Sequence, residues 1–391
     1  MDVIVLTYLL DMNRYEYKLI ENIVKEISNR INRVLLHVAK YPVGLQSRVQ
    51  QVKLLLDEES DEGVNMVGLY GTGGLGKSTL AKAIYNFIAD QFEGVCFLHN
   101  VRENSARNNL KHLQEELLLK TVRLDIKLGG VSEGIPIIKQ RLCRKKILLI
   151  LDDVDKLDQL EALAGGLDWF GPGSRVIITT RDKHLLTCHG IERTYAVRGL
   201  YGTEALELLR WMAFKNNKVP SSYEDVLNRA VSYASGIPLV LEIVGSNLFG
   251  KNLEEWKCTL DGYDRIPNKE IQKILKVSYD ALEVEEQSVF LDIACCFKGC
   301  GWEDAKYMLH SHYGHSITHH LGVLADKCLI YRYYGLVTLH DLIEDMGKAI
   351  VQQESPKEPG ERSRLWCQDD LVHVLKENTV SKIDIYDQFI I

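Results

Sequence analysis

The chain has 391 residues, of which 46% are hydrophobic and 26% are charged, and its net charge is −7. This length allows two to four domains with sizeable cores, and the acidic balance argues against a nucleic-acid binder that works through a strong basic field. The nine cysteines follow no regular framework, which favours reduced thiols and therefore the cytoplasm or the nucleus.

The first predicted element is an amphipathic helix over about residues 16 to 36. Apolar side chains recur there at helical spacing, at Ile20, Ile23, Ile27, Ile31 and Val34. The segment "KYPVGLQSR" then predicts a loop, because Pro42 and Gly44 interrupt regular structure. No stretch of the sequence reaches the ~18 apolar residues that a membrane-spanning helix needs.

Five short apolar runs separated by helical patterns predict strands at residues 64–70, 95–101, 145–154, 174–182 and 194–200. Their apolar residues are continuous rather than alternating, which is typical of a parallel sheet covered by helices on both faces. We therefore expect a three-layer α/β fold over this part of the chain.

Beyond about residue 200 the patterns are helical until a predicted β-hairpin at residues 328–339, which turns at Tyr334 and Gly335. Helices followed by a hairpin indicate a winged-helix unit. The stretch after residue 355 is polar and contains two prolines, so we expect a linker there.

The segment "GTGGLGKS" fits the phosphate-loop pattern G-x-x-x-x-G-K-[ST] between a predicted strand and a predicted helix. Glycines let backbone amides surround a triphosphate, and the following helix directs its positive dipole end at the same anion. Lys77 would contact the β and γ phosphates, and the Ser78 hydroxyl would bind Mg²⁺. The predicted nucleotide-binding residues of the loop are Gly71, Thr72, Gly73, Gly74, Leu75, Gly76, Lys77, Ser78 and Thr79.

Two further strands end in polar residues at the same predicted sheet edge. Asp152 is the candidate Mg²⁺ ligand, and Asp153 is the candidate catalytic residue that positions or activates water. An N-cap of the following helix is the alternative role for Asp153 or Asp155. Arg181 ends the next strand, where a guanidinium can reach a γ-phosphate.

The order of these motifs resembles the NB-ARC region of plant intracellular immune receptors, in the branch with an N-terminal TIR domain and C-terminal leucine-rich repeats. The segments that carry the resemblance, besides the phosphate loop, are "YPVGLQSRV", "FLHNVRENS", "LILDDVD", "GPGSRVIITTRD", "SGIPLVLEIVGSNLFGK", "FLDIACCFKG" and "VTLHDLIEDMG". Two apolar exchanges depart from the family pattern, Ile237 for leucine and Leu339 for methionine.

The resemblance implies a switch that holds ADP at rest and ATP when active. It implies that Val43, Gly44 and Pro238 pack around the adenine. His340 would lie against the β-phosphate of ADP, and Asp341 would hold that contact in place. Without the family, an ordinary residue at a helix N-terminus would be an equally good interpretation of His340.

The resemblance also implies the domain organisation and the fold, a P-loop NTPase domain followed by a helical and a winged-helix subdomain. We expect a linker helix at 1–38 after an absent TIR domain, the nucleotide-binding domain at 39–200, the helical subdomain at 201–269, the winged-helix subdomain at 270–355, and a linker at 356–391 towards absent leucine-rich repeats.

The expected function is an ADP/ATP switch module in plant defence signalling, with at most slow ATP hydrolysis and, without a TIR domain, no NAD cleavage. Two alternatives remain open: a truncated interaction fragment that pairs with full-length receptors without cycling, and a turnover ATPase. The expected partners are an adenine nucleotide and other receptor chains or signalling proteins. Nucleic acid is disfavoured, because no helix of the predicted winged-helix unit is rich in lysine or arginine.

Overall fold

The computed structural model describes residues 35–57, 63–215, 219–265 and 269–377. The predicted amphipathic helix at 16–36 falls outside this part of the chain except for its last two residues, which are not helical. The strands are β1 (Asn65–Tyr70), β2 (Gly94–Leu98), β3 (Ile147–Val154), β4 (Arg175–Thr180), β5 (Thr194–Ala196), β6 (Tyr331–Tyr333) and β7 (Leu336–Thr338).

The α-helices of the first half are α1 (Leu45–Asp57), α2 (Lys77–Ile88), α3 (Val101–Val122), α4 (Val131–Leu142), α5 (Leu157–Ala164) and α6 (Lys183–Cys188). Those of the second half are α7 (Thr203–Phe214), α8 (Glu224–Ala234), α9 (Pro238–Leu248), α10 (Leu253–Arg265), α11 (Lys269–Asp280), α12 (Val284–Asp292), α13 (Trp302–Tyr313), α14 (Ile317–Asp326), α15 (Asp341–Glu354) and α16 (Gln368–Glu377).

Strands β1 to β5 form one parallel sheet in the order β2-β3-β4-β1-β5, which confirms the prediction of a parallel sheet. Helices cover both faces, so successive side chains of β3 enter different cores: Leu149 and Leu151 pack in one, and Leu148 and Ile150 pack in the other. The sheet therefore belongs to a three-layer α/β domain, as the sequence predicts.

Several elements start or stop earlier than the sequence patterns indicate. Strand β2 ends at Leu98, and Asn100, with a φ of 47°, precedes the first turn of α3. The strand predicted over residues 95–101 is thus too long, because Val101 already belongs to the helix. Helix α1 begins at Leu45, inside the segment predicted as a loop.

The helices after β5 and the winged-helix elements share one continuous apolar core, which extends from Leu200 to Val351. The predicted hairpin is confirmed: β6 and β7 are antiparallel. Tyr334 and Gly335 have φ values of 47° and 82°, and positive φ at both central residues is the signature of a type I′ turn.

The segment predicted as a linker from residue 356 is packed against the winged-helix domain instead. The Arg362 side chain is nearly fully buried and donates to the Ser355 carbonyl oxygen at 2.8 Å. Arg364 Nε donates to Asp292 Oδ1, at the end of α12, at 2.6 Å. Arg362 also pairs with Asp370 of α16 at 2.8 Å, and Val374 of the same helix is buried. The segment up to residue 377 is therefore part of the folded unit.

Candidate functional site

The phosphate loop, defined as residues 71–78, connects the carboxyl end of β1 to α2. Gly71, Gly74 and Gly76 have φ values of 148°, 84° and 88°, which glycine adopts far more readily than other residues. A Cβ atom at Gly73 would lie 2.6 Å from Nη1 of Arg181, so glycine is also needed there for the arginine to approach. The loop thus has the backbone that a phosphate cradle requires.

Lys77 is buried at the centre of this loop. Its Nζ donates to the carbonyl oxygens of Gly71 at 2.6 Å and Thr72 at 2.9 Å, and it forms no ion pair within the described residues. Burial, followed by the nearby charge of Arg181, lowers the pKa of Lys77 to about 8. An anion bound in the loop would stabilise this ammonium group, so the arrangement fits a nucleotide phosphate.

The two aspartates at the end of β3 are held differently. Asp152 is almost fully buried, and its Oδ1 accepts a 2.7 Å hydrogen bond from the Thr179 hydroxyl of β4. Asp153 has a φ of 58°, and its backbone N–H donates to the same hydroxyl oxygen at 2.8 Å. Asp152 and Ser78 carry oxygen atoms of the kind that Mg²⁺ prefers as ligands.

The Asp153 carboxylate lies between two arginines. Its Oδ2 is 2.9 Å from Arg102 Nη2, and its Oδ1 is 3.6 Å from Arg181 Nε. No sequence motif indicated a role for Arg102, which lies in the first turn of α3. Its position directly after β2, at the same sheet edge as the other motifs, is the signal that could have found it.

A cavity of about 350 Å³ opens at the phosphate loop. It is lined, among others, by Gly73, Gly74, Gly76, Lys77, Ser78, Thr79, Arg102, Asp153, Arg181, Pro238 and Glu242. The structure therefore brings six of the nine predicted loop residues together with Arg181, Asp153 and Pro238, while Gly71, Thr72 and Leu75 do not line this cavity. Asp152 does not line this cavity; it lies behind Thr179.

A narrower cavity of about 50 Å³ adjoins the first and is lined mainly by apolar residues, including Val43, Leu75, Leu80, Val197 and Pro238. Gly44 lies beside it with a φ of 68°. The Gly44 carbonyl accepts a hydrogen bond from Arg48, whose Nη2 is 2.9 Å from Glu204 Oε2. Val43 and Pro238 thus meet at an apolar space next to the phosphate loop.

His340 and Asp341 line neither cavity; both contact Ser235, three residues before Pro238. His340 Nε2 lies 2.8 Å from the Ser235 carbonyl oxygen, while its Nδ1 accepts from the Leu342 N–H. Asp341 Oδ2 accepts from the Ser235 hydroxyl at 3.2 Å. Burial is the main cause that lowers the pKa of His340.

The winged-helix domain contacts the phosphate loop directly at another point. The Thr72 hydroxyl donates to the Cys328 carbonyl oxygen at 3.1 Å, just after α14. Lys327 Nζ lies 3.0 Å from Asp182 Oδ2, and His184 Nδ1 lies 3.7 Å from Asp326 Oδ2. These three contacts join α14 to the loop and to α6, and no sequence pattern indicated them.

Comparison with known protein families identifies two domains. The NB-ARC domain model matches residues 45–219, and the model for the winged-helix domain of Roq1-like disease resistance proteins matches residues 283–355. No helix in the described part of the chain combines the length and the apolar character needed to cross a membrane.

Plant disease resistance proteins are similar over almost the whole chain. Disease resistance proteins RPV1 and RUN1 of Vitis rotundifolia are 41% and 40% identical over 94% and 92% of it. TMV resistance protein N of Nicotiana glutinosa is 38% identical over 92%. The chain spans only 26%, 27% and 32% of the length of these three relatives.

Proposed function

Because this chain belongs to the NB-ARC family and carries the winged-helix domain of Roq1-like disease resistance proteins, we propose that it is an ADP/ATP-binding switch module in plant defence signalling. It holds ADP at rest and is activated by exchange to ATP. Its partners beyond the nucleotide are other receptor chains or signalling proteins, and it works in the cytoplasm or the nucleus.

The observation that carries this proposal is the hydrogen bond between Thr72 and Cys328, 3.1 Å long, which joins the phosphate loop to the winged-helix domain. A nucleotide can change the arrangement of two domains only if it binds one arrangement better than the other. A loop that touches both the phosphates and the winged-helix domain meets that requirement, because its conformation affects both contacts.

In this proposal the loop binds the phosphates. Ser78 and Asp152 would hold Mg²⁺, which would neutralise phosphate charge when bound; Asp152 would reach it from behind Thr179. The adenine lies in the apolar space next to Val43, Gly44 and Pro238. That cavity is about 50 Å³, so the surrounding side chains have to move outward when the base binds.

His340 and Asp341 act as a latch in the ADP state. His340 would reach a β-phosphate only by leaving the Ser235 carbonyl oxygen, 2.8 Å from its Nε2. We therefore propose that the latch works first through Ser235: His340 and Asp341 both contact this residue, which begins the segment that leads to Pro238.

The surroundings of Asp153 favour slow hydrolysis over rapid turnover. Its carboxylate is engaged by Arg102 at 2.9 Å and by Arg181 at 3.6 Å. Each of its two carboxylate oxygens already faces a guanidinium group, so an attacking water has to displace one of them before Asp153 can act as its general base. Sustained release of phosphate over many turnovers would favour the turnover ATPase instead.

The test is to purify the full chain, denature it and identify the nucleotide released. We expect close to one ADP per chain, loss of the nucleotide in Lys77→Ala, and retention in Lys82→Ala, a control on the same helix whose side chain lines neither cavity. A wild-type protein without nucleotide would overturn the switch and leave the interaction fragment as the better hypothesis.

A further inference from the structure

Glu242 occupies an unusual position on α9, one helical turn after Pro238. The helix begins at the phosphate loop, where the Leu239 N–H donates to the Gly74 carbonyl oxygen at 3.3 Å. The Glu242 side chain lines both the cavity at the phosphate loop and the adjoining apolar cavity. It therefore stands at the junction between the two.

Four residues are common to the linings of the two cavities: Gly76, Thr79, Pro238 and Glu242. Glu242 is the one charged residue among them. Its carboxylate has no hydrogen bond or ion pair with any residue in the described ranges, although it is partly buried and burial raises its pKa. Removing a carboxylate from water without a partner costs free energy, so a hydrogen-bond donor at this place would be favourable.

A bound adenine nucleotide would bring such donors to the junction. With the phosphates in the loop and the base in the apolar space, the ribose has to lie between the two cavities. Its 2′ and 3′ hydroxyl groups can donate hydrogen bonds, and a carboxylate is an acceptor with two oxygens. Acidic side chains bind ribose hydroxyls in the same way in dinucleotide-binding folds.

We propose that Glu242 recognises the ribose of the bound nucleotide by accepting hydrogen bonds from its hydroxyl groups, and so makes the site selective for ribonucleotides over deoxyribonucleotides. This inference rests on the proposed function, because it requires an adenine nucleotide in the site. It assigns to Glu242 a role in specificity that the phosphate loop cannot supply, since the loop contacts only phosphates.

The experiment is a competition assay on the full chain, in which bound tritiated ADP is displaced by ADP, 2′-deoxy-ADP or 3′-deoxy-ADP. We expect at least one deoxy analogue to compete about tenfold less well than ADP, the effect of losing one hydrogen bond to a charged group. Glu242→Ala should abolish this difference, and Glu242→Gln should keep part of it, because the amide oxygen still accepts. Glu207→Ala, an exposed glutamate on α7, is the control and should keep the full difference.

The outcomes separate the two proposals. If wild-type protein binds ADP but both deoxy analogues compete as well as ADP does, the proposed ribose contact is wrong, and the switch proposal is unaffected. If Glu242→Ala binds ADP and keeps the full preference, the assignment to Glu242 is wrong. If the wild-type chain binds no ADP, both proposals are overturned.

Discussion

The hydroxyl of Thr72 and the carbonyl oxygen of Cys328 are joined by a 3.1 Å hydrogen bond across a sequence separation of 256 residues. Cys328 follows α14 with a φ of 58°, and the preceding Lys327 pairs with Asp182 at 3.0 Å. The winged-helix domain therefore contacts the loop at which a nucleotide phosphate would bind.

Replacing Thr72 by valine keeps the shape of the side chain and removes the donor to Cys328. We expect bound ADP to exchange for ATP about fivefold faster, since one hydrogen bond contributes about 1 kcal/mol. The measurement is the release rate of labelled ADP after excess ATP is added. Thr187→Val, at an exposed position of α6, should exchange like wild type, and an unchanged rate in Thr72→Val would contradict the coupling.

Asp341→Val should shift the bound nucleotide from ADP towards ATP. The Asp341 carboxylate accepts from Ser235 at 3.2 Å and from Lys298 at 2.5 Å, so its loss frees the start of α15 from the segment before Pro238. Nucleotide released by denaturation reports the change. Asp369→Val, at an exposed position of α16, should keep ADP; a variant of Asp341 that also keeps ADP would argue against the latch.

Arg102→Gln should weaken ATP binding about tenfold more than it weakens ADP binding. The reason is that a guanidinium group at the cavity wall favours the additional charge of the γ-phosphate. Competition of ATP and ADP against labelled ADP measures the two affinities. Arg107→Gln is the matched control on the same helix, since Arg107 is exposed and pairs with Glu103. Equal weakening of both nucleotides would assign Arg102 a general effect on phosphate binding only.

Acidification should break the hydrogen bond that the Leu342 N–H donates to His340 Nδ1, because protonation places a hydrogen on that nitrogen. Burial is the main reason that the folded-state pKa of His340 is below its usual 6.5, so the unfolded chain takes up this proton first and the stability from His340 falls as pH drops below about 6.5. Thermal unfolding between about pH 7.5 and 5.5 measures it. His340→Asn retains a helix cap without this titration and should lose less stability; an equal loss in both proteins would contradict the assignment.

The ion pair between Arg364 and Asp292 should contribute strongly to stability. The Asp292 side chain is 3% exposed and that of Arg364 is 13% exposed, at 2.6 Å. Arg364→Met leaves a buried carboxylate without this partner, which costs about 3 kcal/mol, measurable by urea unfolding. Arg332→Met, at an exposed pair with Glu303, should change stability by about 0.5 kcal/mol or less. A similarly small effect in Arg364→Met would show that the last segment packs only loosely.

Several elements could be predicted from the sequence because their signals are local. Continuous apolar strands predict a parallel sheet, the spacing of glycines and Lys77 predicts the phosphate loop, and Tyr334–Gly335 predicts the hairpin turn; each depends on backbone preferences within a few residues. The end of a strand is not set by such local preferences, because Val101 suits a strand and a helix equally until tertiary packing selects one.

Contacts between side chains that are distant in sequence could not be predicted in this way. Nothing in the sequence near Thr72 indicates that its hydroxyl contacts Cys328, and nothing near His340 indicates that its ring contacts Ser235. In the sequence Glu242 is indistinguishable from an ordinary glutamate of a helix. Its position becomes evident only from the two cavities that meet beside it. These relationships depend on how whole domains pack, and that packing is set by the summed burial of many apolar side chains rather than by any local pattern.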